Sequence, residues 1–166
     1  MTGREIAAGA VAGVILAAAA HSTVAGTAHA TLTAANPPTA ATGAAAKAVA
    51  YERARLGYPY VWGGTGPPNY SGYDCSGLTE TAWAAGGVAI PRTSEAQFGA
   101  LHAVSAADLQ PGDLVFSYWA VDNQASPNHV QMYVGGGNVI GADTVNVEET
   151  PLSTDAGHIV GYARPS

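Results

Sequence analysis

The stretch HVQMYVGGGNVIGAD, residues His129–Asp143, decides the fold class of this chain. Apolar side chains run through both of its halves, and three consecutive glycines (135–137) separate the halves. Two apolar runs joined by a short glycine-rich turn are typical of a β-hairpin, because glycine adopts the positive φ angles that tight turns require. We therefore predict two antiparallel strands within this stretch.

The segments on both sides of the hairpin continue the pattern. Upstream, LQPGDLVFSYW (Leu109–Trp119) predicts a Pro-Gly turn followed by a strand from Asp113 to Tyr118. Downstream, TVNVEET (Thr144–Thr150) and HIVGYAR (His158–Arg164) predict two further strands. The C-terminal half of the chain is therefore predicted to form an antiparallel sheet.

Helices are predicted before these strands. AAAKAVAYERARLG (Ala44–Gly57) predicts a helix with Gly57 as its C-terminal cap. A second helix is predicted from Cys75 to Ala85, ending at two glycines, and a short third helix from Ser94 to Gly99. Helices followed by a series of strands indicate an α+β fold, with N-terminal helices packed on an antiparallel β-sheet.

The N-terminus carries a targeting pattern. An apolar run from Ile6 to Ala20 is followed by small residues that end in Ala28-His29-Ala30. This pattern predicts a secretory signal peptide over residues 1–30, a flexible leader over 31–43 and one domain over 44–166. The alternative is an uncleaved membrane anchor, but the apolar run is shorter than the ~20 residues that a spanning helix needs. We expect a secreted protein.

Composition excludes several classes of function. The 166 residues suffice for one domain, and six Lys and Arg against twelve Asp and Glu give a net charge of −6. This charge argues against a nucleic-acid-binding surface. The single cysteine, Cys75, excludes an intrachain disulfide and a multi-cysteine metal site. We expect no metal, no cofactor and a monomer.

Cys75 and His129 are the candidate chemical groups. Cys75 begins a predicted helix, where the positive end of the helix dipole favours a thiolate. His129 begins a predicted strand, and an imidazole facing a helix-borne thiol is the nucleophile–base arrangement of thiol hydrolases. The alternative for a lone cysteine is that it only fills the core.

Five blocks of sequence resemble one known family, the NlpC/P60 bacterial cell-wall cysteine peptidases. The blocks, in chain order, are PYVWGG (59–64), DCSGL (74–78), IPRTSEAQ (90–97), LQPGDLVF (109–116) and HVQMYVGGGNVI (129–140). The resemblance implies a papain-like α+β fold. It also implies hydrolysis of peptide bonds in peptidoglycan stem peptides, typically next to D-γ-glutamyl or diaminopimelyl residues.

The same resemblance implies roles for individual residues. Cys75 matches the nucleophile and His129 the general base, while Tyr60 matches a tyrosine near the thiol that assists the oxyanion. The residues matching the acyl-side substrate pocket are Asp74, Ser76 and Arg92. An arginine such as Arg92 can bind the D-glutamyl carboxylate in bidentate fashion. In the structural alternative, Tyr60 packs in the core, Asp74 only caps its helix and Arg92 is a surface charge.

The chain departs from the family pattern at the third catalytic position. Family members carry a polar side chain twelve residues after the catalytic histidine, where this chain has Gly141. Asp143 lies on the same side of an extended strand as position 141 and is our predicted third member, with His158 as the second candidate. We expect Asp143→Ala to lower turnover more than Asp155→Ala. Gln131-Met132 is a second departure, since Gly-Ile is common there.

Three functions remain open. The first is a secreted peptidase acting on peptidoglycan stem peptides, with no nucleic acid partner and no membrane contact after signal cleavage. The second is a catalytically impaired module that only binds muropeptides, which the missing side chain at Gly141 would explain. The third is a thiol acyltransferase or amidase acting on another substrate, because papain-like folds serve several chemistries.

Overall fold

The computed structural model describes residues 43–119 and 126–166. The expected signal peptide and nearly all of the expected leader lie outside the described residues. Within the described ranges the helices are α1 (Gly43–Arg53), α2 (Cys75–Gly86) and α3 (Ser94–Ala100). The strands, in chain order, are β1 (His102–Val104), β2 (Leu114–Ser117), β3 (His129–Gly135), β4 (Asn138–Ala142), β5 (Val147–Pro151) and β6 (Ile159–Arg164). Short 3-10 helices span Ala106–Asp108 and Leu152–Asp155.

Helix α2 has well-defined caps at both ends. The Asp74 side chain accepts a hydrogen bond from the Gly77 N–H at the N-terminus. At the other end Gly87 adopts a left-handed conformation, with φ of 89°, and its N–H binds the Ala84 carbonyl. The sequence therefore fixes where α2 begins, and this places Cys75 in its first turn.

Helix α1 ends earlier than predicted. The helix stops at Arg53 rather than continuing to Gly57. The following residues leave the helix because they bond to β5: the Gly57 N–H donates to the Val147 carbonyl, and the Val147 N–H donates to the Tyr58 carbonyl. Within α1, Ala45 and Ala48 are buried. Such small side chains allow α1 to pack closely against α2.

The six strands form one antiparallel sheet in the order β1-β6-β2-β3-β4-β5. One side of the central strands packs against the helices through Leu114, Phe116, Val130 and Met132, all of which are fully buried. The α+β fold with N-terminal helices on an antiparallel sheet is thus confirmed. Strand β1 was not predicted, since its three residues are too short to show an alternating pattern.

Candidate active site

Cys75 lies where the loop of the PYVWGG block meets the start of α2. The Asp74 N–H donates to the Gly64 carbonyl at 2.9 Å, and this carbonyl sits where a side chain at position 77 would lie. A Cβ at Gly77 would come within 2.2 Å of the Gly64 oxygen, so only glycine permits this approach. The close packing of loop and helix leaves the Cys75 side chain 9% exposed, at the floor of a cleft.

His129 and Asp143 are brought together by the β3–β4 hairpin. Met132 pairs with Ile140 in this hairpin, and the same register, continued toward its open end, sets His129 opposite Asp143. Residues directly opposite each other in an antiparallel pair have neighbouring side chains. The His129 Nε2 atom lies 2.9 Å from the Asp143 Oδ1 atom. Asp143 therefore occupies the place beside the imidazole that Gly141 cannot fill.

The environment of His129 favours its charged form. Burial lowers the pKa of His129, but its hydrogen bonds and charge interactions with Asp143 and Cys75 outweigh burial and raise the pKa from 6.5 to about 9. Because Nε2 faces Asp143, the other ring nitrogen, Nδ1, is the one available to the thiol. The imidazolium form of His129 is therefore favoured at neutral pH, beside the thiol of Cys75.

Asp74 and Arg92 form an ion pair beside Cys75. The Arg92 Nη1 and Nη2 atoms lie 3.0 and 2.7 Å from the two Asp74 carboxylate oxygens, and Nη1 also donates to the Ser76 hydroxyl. Bidentate binding of a substrate carboxylate by Arg92, as the sequence suggested, does not fit this geometry, because Asp74 already occupies both terminal nitrogens. Asp74 also caps α2, as in the structural alternative, and its carboxylate accepts further hydrogen bonds from the Gly63 N–H and the Ser76 hydroxyl.

Tyr60 connects two cavities that meet at the candidate pair. The cavity on the cysteine side is about 510 Å³ and is lined by Cys75, Asp74, Ser76 and Arg92, among others. The second cavity, about 480 Å³, lies beyond His129. Tyr60, Asn128 and His129 line both. Burial raises the pKa of Tyr60, and the nearby Cys75 and Asp74 add to this increase, so the phenol is protonated at neutral pH.

The second cavity holds residues that sequence reasoning did not assign to the site. Gln131 and Asp155 are buried there, and Glu148 also lines it. Asp155→Ala was expected to lower turnover less than Asp143→Ala and so to serve as its comparison. Asp155 is a poor choice for this comparison, because its burial is nearly complete and its carboxyl group interacts electrostatically with both His129 and Asp143.

His158 does not take the third position beside the imidazole. Its ring stacks on Trp119, with centroids 5.3 Å apart, and Trp119 in turn presents its edge to His129 at 6.1 Å. The Trp119 backbone N–H donates a hydrogen bond to the Asn128 Oδ1 atom at 2.8 Å. No motif in the sequence marks this aromatic contact, because Trp119 is distant from both His129 and His158 along the chain.

Residues 43–119 and 126–166 contain neither a metal site nor a membrane-spanning helix. No group of three or more His, Cys, Asp and Glu side chains there has an arrangement that could hold a metal ion. No helix in those same ranges is long and apolar enough to cross a membrane.

Comparison with known proteins identifies the family of this chain. Residues 57–158 match the protein family described as the NlpC/P60 family. The chain belongs to the NlpC/P60 family. Its sheet, helices and solved relatives identify the domain as a papain-like NlpC/P60 fold.

Several members of the NlpC/P60 family are similar to this chain. The probable endopeptidase p60 of Listeria seeligeri is 38% identical over 70% of this chain and 21% of the relative. A γ-D-glutamyl-L-lysine dipeptidyl-peptidase of Bacillus cereus is 43% identical over 65% of this chain and 32% of the relative. The solved peptidoglycan hydrolase RipB of Mycobacterium tuberculosis is 30% identical, with a TM-score of 0.61 over 73% of this chain and 64% of RipB. The chain thus spans about a fifth to a third of these two curated relatives.

Proposed function

We propose that this protein is a secreted cysteine peptidase that hydrolyses peptide bonds in the stem peptides of bacterial peptidoglycan. The observation that carries the proposal is the position of His129, which contacts the Cys75 thiol and lies 2.9 Å from the Asp143 carboxylate. A nucleophile, a base and an orienting group in contact form the minimum arrangement for thiol hydrolysis.

In the proposed reaction, the Cys75 thiolate attacks the scissile carbonyl carbon, and the carbonyl oxygen becomes an oxyanion. The positive end of the α2 dipole and the Tyr60 hydroxyl are placed to stabilise this charge. The C–N bond then breaks as the His129 imidazolium gives its proton to the leaving amine. Neutral His129 next takes a proton from water, whose oxygen attacks the thioester and releases the acid and the thiol.

Asp143 serves as the third member of the site in this proposal. Its carboxylate stabilises the imidazolium and holds the ring so that Nδ1 faces the thiol. Its position supports a working hydrolase over a binding module, because the absence of a side chain at Gly141 is compensated two residues further on. Asp74, Ser76 and Arg92 form the acyl-side wall, where Arg92 has one Nη2 hydrogen left for a substrate oxygen.

The leaving side of the substrate would lie in the cavity beyond His129. Two carboxylates line this cavity, those of Asp143 and Glu148, together with the buried acid Asp155, and its lining includes no lysine or arginine among the described residues. Such a cavity fits a residue that carries an ammonium group. The B. cereus relative is named for cleavage before L-lysine. We therefore propose a diamino acid on the leaving side of the bond.

Secretion is part of the proposal because the substrate lies outside the cytoplasm. It rests on the predicted signal peptide over residues 1–30. The mature protein would then comprise the leader over 31–43 and a catalytic domain over 44–166. We propose that it works as a monomer at the cell wall.

Synthetic peptides test the reaction. The whole chain is incubated with L-alanyl-γ-D-glutamyl-L-lysine and with its α-linked isomer, and the products are identified by mass spectrometry. We expect release of L-lysine from the γ-linked peptide only, and no release by the Cys75→Ala variant. Binding of the peptide without cleavage would instead support the muropeptide-binding module.

Replacing Glu148 tests the assignment of the leaving side. Glu148→Gln is expected to raise KM for the lysine peptide more than KM for an analogue that ends in norleucine, because only lysine carries the ammonium group. Glu149→Gln is the matched control, since Glu149 is the next residue on β5, is exposed and is not part of the lining of this cavity. An equal effect of Glu148→Gln on both peptides would refute this assignment.

A further inference from the structure

Gln131 and Gly141 occupy one shared space behind the candidate site. They lie opposite each other in the β3–β4 hairpin, two pairs along from His129 and Asp143 and on the same face of the sheet. A Cβ at position 141 would come within 2.6 Å of the Gln131 Cγ atom, and Gln131 is 2% exposed. A longer side chain at 141 and the observed Gln131 side chain therefore exclude each other. Gly141 and Gln131, the two positions that depart from the family pattern, therefore depend on each other sterically.

The Gln131 amide reaches a second buried side chain, Asp155. Asp155 ends the 3-10 helix Leu152–Asp155, is 1% exposed and accepts a hydrogen bond from Gln131. Among the residues that the structure describes, Asp155 Oδ2 and Gln131 Oε1 have no hydrogen-bond partner. Two buried acceptors without a donor are costly.

A single proton on Asp155 would give both of these atoms a hydrogen-bond partner. A protonated Oδ2 can donate to Gln131 Oε1 while the Gln131 Nε2 donates to Asp155 Oδ1, which gives two reciprocal hydrogen bonds between an acid and an amide. Burial raises the pKa of Asp155 and the Asp143 carboxylate raises it further, whereas His129, His158 and the hydrogen bond from Gln131 lower it. A neutral Asp155 also avoids a second negative charge beside Asp143.

We propose that Gln131 and Asp155 form a buried amide–acid pair that positions His129 and Asp143, in place of the side chain that Gly141 lacks. The proposal rests on the proposed function of Cys75 and His129. Gln131 and Asp155 are positioning residues, since they act through the imidazole and its carboxylate partner. The titratable groups around the pair are His129 on β3, Asp143 after β4, Glu148 on β5 and His158 before β6.

The pH dependence of Cys75 alkylation tests the pair without any substrate. Iodoacetamide reacts with the thiolate, and Cys75 is the only cysteine in the chain, so adduct mass reports this residue alone. The upper inflection of the rate profile reports deprotonation of His129, expected near pH 9. The whole chain is compared with Gln131→Leu, Asp155→Ala and Asp155→Asn. Tyr133→Phe is the control, because Tyr133 lies on the same strand near the hairpin turn.

Gln131→Leu and Asp155→Ala are expected to lower the inflection by about one pH unit, which is a tenfold change in the proton affinity of the imidazole. Asp155→Asn is expected to keep the wild-type inflection, because an asparagine amide can form the same two hydrogen bonds with Gln131. The Tyr133→Phe profile is expected to be unchanged.

Two results would overturn the pair. The first is an unchanged inflection in both Gln131→Leu and Asp155→Ala. The second is an Asp155→Asn variant that shifts as far as Asp155→Ala, which would assign the effect to the carboxylate charge. If Gln131→Leu does not fold, as judged by circular dichroism, the two Asp155 variants test the proposal alone. Equal inflections in Asp155→Ala and Asp155→Asn would then overturn it. Failure to cleave stem peptides would refute the proposed function while leaving this alkylation result intact.

Discussion

Replacing Asp143 by asparagine removes one charge beside His129 and preserves the shape of the side chain. The rise of the His129 pKa from 6.5 to about 9 corresponds to roughly 3 kcal/mol of net stabilisation of the imidazolium, since one unit is about 1.36 kcal/mol. Asp143 and Cys75 share this effect. We expect Asp143→Asn to lower the pKa of His129 by more than one unit.

The same change is expected to reduce activity near neutral pH. A pKa that falls toward 6.5 leaves only about a tenth of the imidazole charged at pH 7.5, so kcat/KM should fall roughly tenfold from ionisation alone. Loss of ring orientation adds to this reduction. The effect should be smaller than that of Cys75→Ala, because the nucleophile remains.

The assay is a proton NMR titration of the histidine ring signals together with the pH profile of kcat/KM. Asp108→Asn is the matched control, since Asp108 is an exposed carboxylate in the 3-10 helix Ala106–Asp108. In the wild type, the stabilising effect of His129 is complete below pH 6.5 and is lost as the pH rises through about 9, so the free energy of unfolding should fall across this range. An unchanged His129 titration in Asp143→Asn would refute the reasoning.

Three further substitutions test the packing around the site. Glu52 is fully buried, and burial raises its pKa. The free energy of unfolding of Glu52→Gln should therefore exceed that of the wild type by about 1.4 kcal/mol for each pH unit above 4.5, until the native carboxyl ionises. A difference between the two proteins that stays constant with pH in urea denaturation would contradict this. Asp74→Ala removes the 2.6 Å cap on Gly77 and a partly buried ion pair, so it should cost ~1–3 kcal/mol in urea denaturation, against little change for Asp108→Ala. Gly141→Ala should cost ~1–3 kcal/mol, and adding Gln131→Ala should recover most of it, because the new methyl group meets the Gln131 side chain. Simple additivity of the last two changes would disprove the contact.

The sequence predicted the fold class because its strongest signals are local. The glycines at 135–137 all adopt positive φ, as a tight turn between β3 and β4 requires. The caps of α2 could likewise be predicted from Asp74 and Gly87. The end of α1 could not, because it depends on hydrogen bonds between residues 57–58 and Val147, some ninety positions away.

The site was predictable only in part, for a related reason. The hairpin register follows from local sequence, and it set Asp143 beside His129. The Gln131–Asp155 contact requires the 3-10 helix after β5 to fold back under β3, which no spacing in the sequence indicates. The Arg92–Asp74 pair could not be predicted from the sequence, because the two residues are 18 positions apart and no local pattern brings them together.

Digestion of purified peptidoglycan tests the central claim most directly. The whole chain and its Cys75→Ala variant are incubated with the same peptidoglycan, and the soluble products are identified by mass spectrometry. The account predicts new stem-peptide fragments, each with a free amine on a diamino acid, from the wild type alone. Identical product profiles from the two proteins, with the wild type folded and its Cys75 reactive toward iodoacetamide, would contradict it.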